Sequence, residues 1–399
     1  MPKYNFDKII DRRGTNCVKY DEMQSADIPL WVADMDFETA PVVLDAMRKR
    51  LDHGCFGYTH VPESYYQATI DWFQRRHSLH LEREWFIYTI GVVPAISAVI
   101  KATTTPGDSV LVMTPVYNCF FSSIRNNGCN MVESPLVESA NLQVDECTGA
   151  TVRYEVDWTD FEAKCSRPDV KVFLLCNPHN PAGRVWTHDE LHRMGEICKR
   201  HDVLVIDDGI HCEFVRAPHR YTAFATASDA PSVTFLSPSK SFNIAGLQIA
   251  NIICADANLR SRIDRAININ EVCDVNPFGV IALQAAYSDE GEAWLNELVD
   301  YIYSNATAVE DYIAQHLPRW RTFRLEGTYL LWVDISATGM TADQYADHLL
   351  REAKVYVNSG TMYAGGGTTG NRFIRINLAT QRSRLMEAMR RISEVESRD

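Results

Sequence analysis

Short apolar runs punctuate the middle of the chain: Val110 to Met113, Val172 to Cys176, Val203 to Ile206, Val233 to Leu236 and Ile249 to Cys254. Each is too short for a helix, and most lack the polar alternation of a half-exposed strand. They therefore predict strands buried on both faces. Helical patterns separate several of them. Thr187-His188-Asp189-Glu190 is a capping box, and Leu191, Met194, Ile197 and Cys198 follow on one face. Strand alternating with helix predicts an α/β fold with a mainly parallel central sheet covered on both sides. Ligands of such sheets bind beyond the carboxyl ends of the strands.

After about residue 285 the pattern changes. A helix is predicted around Trp294 to Leu317, then strands over Tyr329 to Ile335, Val355 to Asn358 and Phe373 to Leu378, then an amphipathic helix from about Ser383 to Ile392. This reads as a smaller C-terminal α/β domain, 285–399, joined by an N-terminal arm, 1–45. The large domain is 46–284. No internal repeat stands out, and the one glycine-rich stretch is Ala364 to Gly370.

The length of 399 residues fits two domains. A net charge of −13 argues against a nucleic-acid partner, while leaving room for a locally basic pocket. The charged N-terminus lacks the apolar core of a signal peptide. The longest apolar candidate, Gly91 to Ile100, contains Pro94 and falls well short of a membrane span of roughly 20 residues. Eleven cysteines without a C-x-x-C pair read as reduced thiols, not as a disulfide frame or a zinc site. A cytoplasmic protein without a metal or membrane partner is expected.

Candidate chemistry collects after the predicted strands. Lys240, in Ser237-Pro238-Ser239-Lys240-Ser241-Phe242-Asn243, follows the run Val233 to Leu236. A lysine there can form an imine with an aldehyde while neighbouring hydroxyls hold a phosphate. Pyridoxal 5′-phosphate needs both services. Asp207 and Asp208 end the run from Val203. Either carboxylate could keep a pyridine nitrogen protonated, or merely cap a helix. Asn180 lies in a turn set by two Asn-Pro steps and Gly183; it could donate to a phenolic oxygen or bond its own backbone. Gly91-Val92-Val93-Pro94 opens a predicted helix whose free N–H groups could cradle phosphate, although no P-loop or G-x-G-x-x-G is present. Tyr117 could stack on a ring or simply pack. Alternation in Arg372 to Leu378 puts Phe373, Arg375 and Asn377 on one face. Arg375 then suits a bidentate substrate carboxylate, or a structural salt bridge.

Together these residues resemble the fold-type I pyridoxal-phosphate enzymes of the aspartate aminotransferase superfamily. Closer still is the MalY/PatB branch, the cystathionine β-lyases or C–S lyases. The resemblance spans nearly the whole chain, through Arg12-Arg13-Gly14-Thr15, Leu30 to Phe37, Phe56-Gly57-Tyr58-Thr59, Arg75-Arg76-His77, Gly91 to Pro94, Asn177 to Trp186, Ser239 to Leu247 and Phe373 to Leu378. It implies a three-layer fold, with Lys240 attached to the cofactor, Asp208 on the ring nitrogen, and Asn180 and His211 near the phenolic oxygen. Tyr117 would stack on the ring. Val92, Val93, Ser237 and Ser239 would serve the phosphate, and Arg375 the substrate carboxylate, with Ala33 and Asp34 lining the entrance through their backbone. Tyr58 would reach the phosphate of a neighbouring subunit in a homodimer.

Three positions depart from the pattern. Gly209 replaces a common glutamate, which is expected to loosen the backbone behind Asp208. Cys119 replaces a frequent proline, and Gln248 stands where classical aminotransferases place a phosphate-binding arginine. The leading expectation is β-elimination from an S-substituted cysteine such as cystathionine, with Lys240 as general base and pyruvate, ammonia and a thiol as products. The alternatives are an aminotransferase and a regulator-binding protein that retains lyase activity. A nicotinamide-dependent dehydrogenase is disfavoured because the glycine fingerprint is missing.

Overall fold

The computed structural model describes residues 3–24, 27–139, 152–269, 271 and 274–398. The five apolar runs join two further strands, the first and third in chain order, in one sheet: β1 (Phe86–Thr89), β2 (Ser109–Val112), β3 (Asn130–Glu133), β4 (Val170–Cys176), β5 (Leu204–Asp208), β6 (Ser232–Leu236) and β7 (Ala250–Ile253). Its lateral order is β1-β7-β6-β5-β4-β2-β3. Strands β2 to β6 pair in parallel, while β7 runs antiparallel to both β6 and β1. The sheet is therefore mainly parallel, as the alternation of runs and helices predicts, and β1 points the same way as the parallel set.

Successive residues of the central strands enter different cores. Val110, Val112, Val172, Leu174 and Ile206 pack with Ile96, Val99 and Ile100 of helix α1 (Val92–Thr103). Their neighbours Leu111, Phe173, Leu175 and Val205 pack with Leu191, Met194, Ile197 and Cys198 of helix α2 (His188–Arg200). Helices thus cover both faces, so the central strands β2, β4 and β5 are largely apolar on both sides. The capping box of α2 is present in full, with the Thr187 side chain and the Glu190 side chain each serving the other's backbone.

The C-terminal elements make a second, antiparallel sheet of β8 (Arg321–Thr322), β9 (Leu330–Asp334), β10 (Asn358–Ser359) and β11 (Phe373–Asn377), in the order β8-β9-β11-β10. Ile374 and Ile376 face helices α3 (Asp289–His316) and α4 (Arg382–Glu396), whereas Phe373 enters the core shared with β4 and β5. The run Val355 to Asn358 is not one strand. Val355–Tyr356 pairs with Ile28–Pro29 of the N-terminal arm, and the chain changes partner at Val357 to place Asn358–Ser359 beside β11. The split frees the Asn358 side chain to donate to the Trp31 carbonyl at 2.9 Å.

One buried ion pair fixes the turn that carries Asn180. Glu326 accepts from the Arg184 side chain at 2.9 Å and from the Val185 N–H at 3.0 Å, and both side chains are essentially excluded from solvent. Removing one partner strands a buried charge. Glu326→Ala is expected to lower stability by about 3 kcal/mol, read as a fall in the urea midpoint with the cofactor kept saturating. An unchanged midpoint would show that Glu190, Arg184's other acid partner, suffices.

Candidate active site

Because β1, β2, β4, β5 and β6 point the same way, their carboxyl ends share one edge of the sheet. Gly91 to Val93 follow β1, Tyr117 follows β2, and Asn180 follows β4. Asp208 ends β5 with His211 three residues on, and Ser237 to Lys240 follow β6. From the second sheet comes Arg375 on β11, and from the arm come Ala33 and Asp34.

The partly buried Lys240 donates from Nζ to the Ala33 carbonyl at 2.6 Å. Desolvation pulls its ammonium pKa down and Arg375 adds to that, while Asp34, Asp208 and Cys119 oppose it. Asp208 is buried, and one oxygen accepts the Ile210 N–H at 3.1 Å. Burial pushes its pKa up to about 7 against the pull of that N–H and of Lys240. Asp207 is equally buried but is engaged elsewhere, accepting from the Phe224 N–H at 3.0 Å and from Asn177 at 3.3 Å. Of the two carboxylates, Asp208 is the one that shares the Lys240 environment.

Arg375 is 3% exposed. Its Nη1 donates to Asn180 Oδ1 at 3.1 Å, its Nη2 donates to the Trp31 carbonyl at 2.7 Å, and its guanidinium lies 5.0 Å over the Tyr363 ring. Its Nε is buried without an acceptor, and among the described residues no carboxylate stands at ion-pair distance. The His211 ring packs edge-on against Tyr329, its Nδ1 also lacks a partner, and burial holds the imidazole neutral. Tyr117 is a phenol whose pKa burial raises, with Cys119 beside its hydroxyl. Ser237 Oγ donates to the Ile249 carbonyl at 2.6 Å and accepts the Ser239 N–H at 3.1 Å. No side chain caps the start of α1, which leaves the N–H groups of Val92 and Val93 open to an anion.

The donor set fits the cofactor anticipated from the sequence. A buried acid without a paired base, a buried guanidinium without an acid, and a lysine between them call for a ligand with a cationic ring nitrogen, an anionic substrate and an electrophilic carbonyl. Tyr58 is not brought to this edge within one chain and stands 98% exposed. Gly209 leaves no slack behind Asp208, for a Cβ there would meet the Phe235 carbonyl at 3.0 Å and the Tyr221 hydroxyl at 3.1 Å. The Tyr221 hydroxyl thus occupies part of the space that a glutamate side chain would need.

Sequence reasoning gave no role to several groups around Ala33. The Tyr329 hydroxyl donates to the same carbonyl at 2.9 Å. Asp34 pairs with Arg12 at 2.6 Å and Lys19 at 3.5 Å, and both cations also reach the buried Asp36. The clustering of Arg12, Lys19, Asp34 and Asp36 within 25 residues was the available signal.

A lysine and an acid at adjacent strand ends of this sheet, with an arginine from a second antiparallel sheet, define a pyridoxal-phosphate type of site. The chain belongs to the aminotransferase class I and II family, which its residues 26–392 match. It is 38% identical over 396 residues to cystathionine beta-lyase PatB of Bacillus subtilis, covering 97% of this chain and 98% of that protein. It is 30% identical to protein MalY of Escherichia coli, covering 96% of each. Among solved structures, the PLP-bound C-S lyase of Staphylococcus hominis superposes with a TM-score of 0.88 at 33% identity over 98% of both chains.

Proposed function

We propose that this chain is a pyridoxal-phosphate-dependent C–S β-lyase that cleaves cystathionine and related S-substituted cysteines to a thiol, pyruvate and ammonia. The observation that carries the reading is Arg375, a buried cation without an acid, set beside Lys240 and Asp208 in a chain akin throughout to cystathionine beta-lyases. The cofactor, when bound, supplies the electron sink for the charge left at the substrate Cα. Lys240 Nζ would hold it covalently, Asp208 would sit at its ring nitrogen, and Asn180 and His211 would face its phenolic oxygen. Tyr117 would lie on the ring. The α1 N-terminus with Ser237 and Ser239 would take the phosphate.

Arg375 binds the α-carboxylate and so fixes which bond at Cα lies near Nζ. Freed Nζ then takes the Cα proton as general base, helped by the desolvation that favours its neutral form. The substrate's C–S bond breaks, and the sulfur leaves as thiolate. Among the described residues no helix is long and apolar enough to cross a membrane. A cytoplasmic homodimer is our reading. The dimer is supported by exposed Phe56 and Tyr58, which a second copy would cover. We also divide the chain into an arm, 1–45, a large domain, 46–284, and a small domain, 285–399.

Incubation with cystathionine tests the reaction. Pyruvate and free thiol are expected in equimolar amounts without any 2-oxo acid. Product that forms only when a 2-oxo acid is added would make the protein an aminotransferase instead.

A further inference from the structure

The segment from Trp31 to Phe37 crosses the site, and side chains hold each of its carbonyls in turn. Trp31 is held by Arg375 and Asn358, Met35 by Asn243 and Arg12, Asp36 by Gln381, and Phe37 by Asn243. One residue spans the centre of the strap, where Lys19 Nζ also reaches the Asp34 carbonyl at 3.4 Å. Asn377 Nδ2 donates to the Val32 carbonyl at 2.6 Å and to the Asp34 carbonyl at 2.7 Å, while its Oδ1 accepts the Ala379 N–H at 2.8 Å. The carbonyl between them, that of Ala33, goes instead to Lys240 Nζ and the Tyr329 hydroxyl.

We infer that Asn377 is a positioning residue for Lys240: by gripping the carbonyls on either side, it aims the Ala33 carbonyl at the ε-amine. The inference rests on the reading of Lys240 as the cofactor-bearing base. Asn377 is fully buried and lies two residues from Arg375 on the same face of β11. One strand therefore carries both the carboxylate clamp and the support of the base. Its amide is satisfied on both sides, so its orientation is fixed. An acceptor at 2.6 Å stabilises the protonated amine, and turning it away makes the ammonium less favourable.

The other groups that act on Nζ are Asp34, Asp208 and Cys119, which favour the ammonium, and Arg375, which opposes it. Lys240 in turn acts on buried His211. Asp208, Cys119 and Arg375 make no hydrogen bond to Asn377, and the Asp34 carboxylate is held separately by Arg12 and Lys19, so a shift in the lysine's titration would report chiefly the carbonyl. Tyr329 competes for the same oxygen. Its removal should leave the Ala33 carbonyl to Lys240 alone, so the two substitutions are expected to act in opposite directions.

The test uses the full-length protein stripped of cofactor, mixed with pyridoxal 5′-phosphate across a pH series and followed by visible absorbance. Capture requires the neutral amine, so the pH midpoint of the capture rate tracks Nζ. Asn377→Ala is expected to move that midpoint down by about one pH unit, and Tyr329→Phe to move it up. Should Asn377→Ala fail to fold, Asn377→Ser, with a shorter hydroxyl donor, carries the same expected direction. Midpoints that stay at the wild-type value, or that move together, overturn the inference even if activity falls. Failure of the wild type to capture the cofactor at all would instead sink the assignment of Lys240.

Discussion

Lys240→Ala is expected to lose at least about four orders of magnitude in pyruvate production, the upper range of a single general base, because the same amine also holds the cofactor. The side chain sits where β6 ends and donates to the Ala33 carbonyl at 2.6 Å, so alanine leaves neither a base nor an attachment point. Two further measurements separate this from misfolding. The wild type should become irreversibly labelled when treated with cofactor and borohydride, with the label recovered on the peptide containing Lys240, while the variant should take up no label. Its unfolding free energy from urea titration without cofactor should stay within about 1 kcal/mol of the unmodified protein, since Nζ makes a single hydrogen bond. Labelling at another lysine with turnover preserved would transfer the role elsewhere.

Much of this site was legible because chemistry and strand ends coincide in sequence. The runs ending at Cys176, Asp208 and Leu236 are continuous and apolar since both faces are covered, and the residues that follow them must fall at one edge. Alternation put Arg375 on one face with Phe373 and Asn377 but left a structural salt bridge open, and its carboxylate role came from the resemblance. Other features left no mark in the chain. β7 looks like its parallel neighbours because an antiparallel strand buried on both faces has the same composition. Asp207 and Asp208 differ only in which side of the strand each faces, which became clear once Asp207 was found on the Phe224 N–H. The partner of Lys240 is a backbone carbonyl, and any residue type supplies one. Glu326 lies 142 positions from Arg184, and no local pattern announces so distant a contact. Tyr58 stands 98% exposed, and its expected role in a second subunit leaves no trace within one chain.

Arg375→Ala carries the second large effect. Truncating one side of a buried, hydrogen-bonded charge pair costs roughly 2–5 kcal/mol, so kcat/KM for cystathionine should fall about 30- to 5,000-fold. The loss should appear mainly in KM if the carboxylate contact is the same in ground and transition states, and in kcat if the guanidinium also steers Cα toward Nζ. Arg375→Lys keeps the charge without the planar fork and should recover only part of the loss. Because the guanidinium also holds Asn180 and the Trp31 carbonyl, a fall in rate alone could come from a displaced strap. The discriminating measurement compares cystathionine with its α-carboxamide. Wild-type protein should prefer the acid strongly, and the alanine variant should have lost that preference, since a displaced strap would slow both substrates alike. A preference for the acid that survives in Arg375→Ala would place the carboxylate on another group, and the buried guanidinium would then serve to hold Asn180 and the entrance segment together.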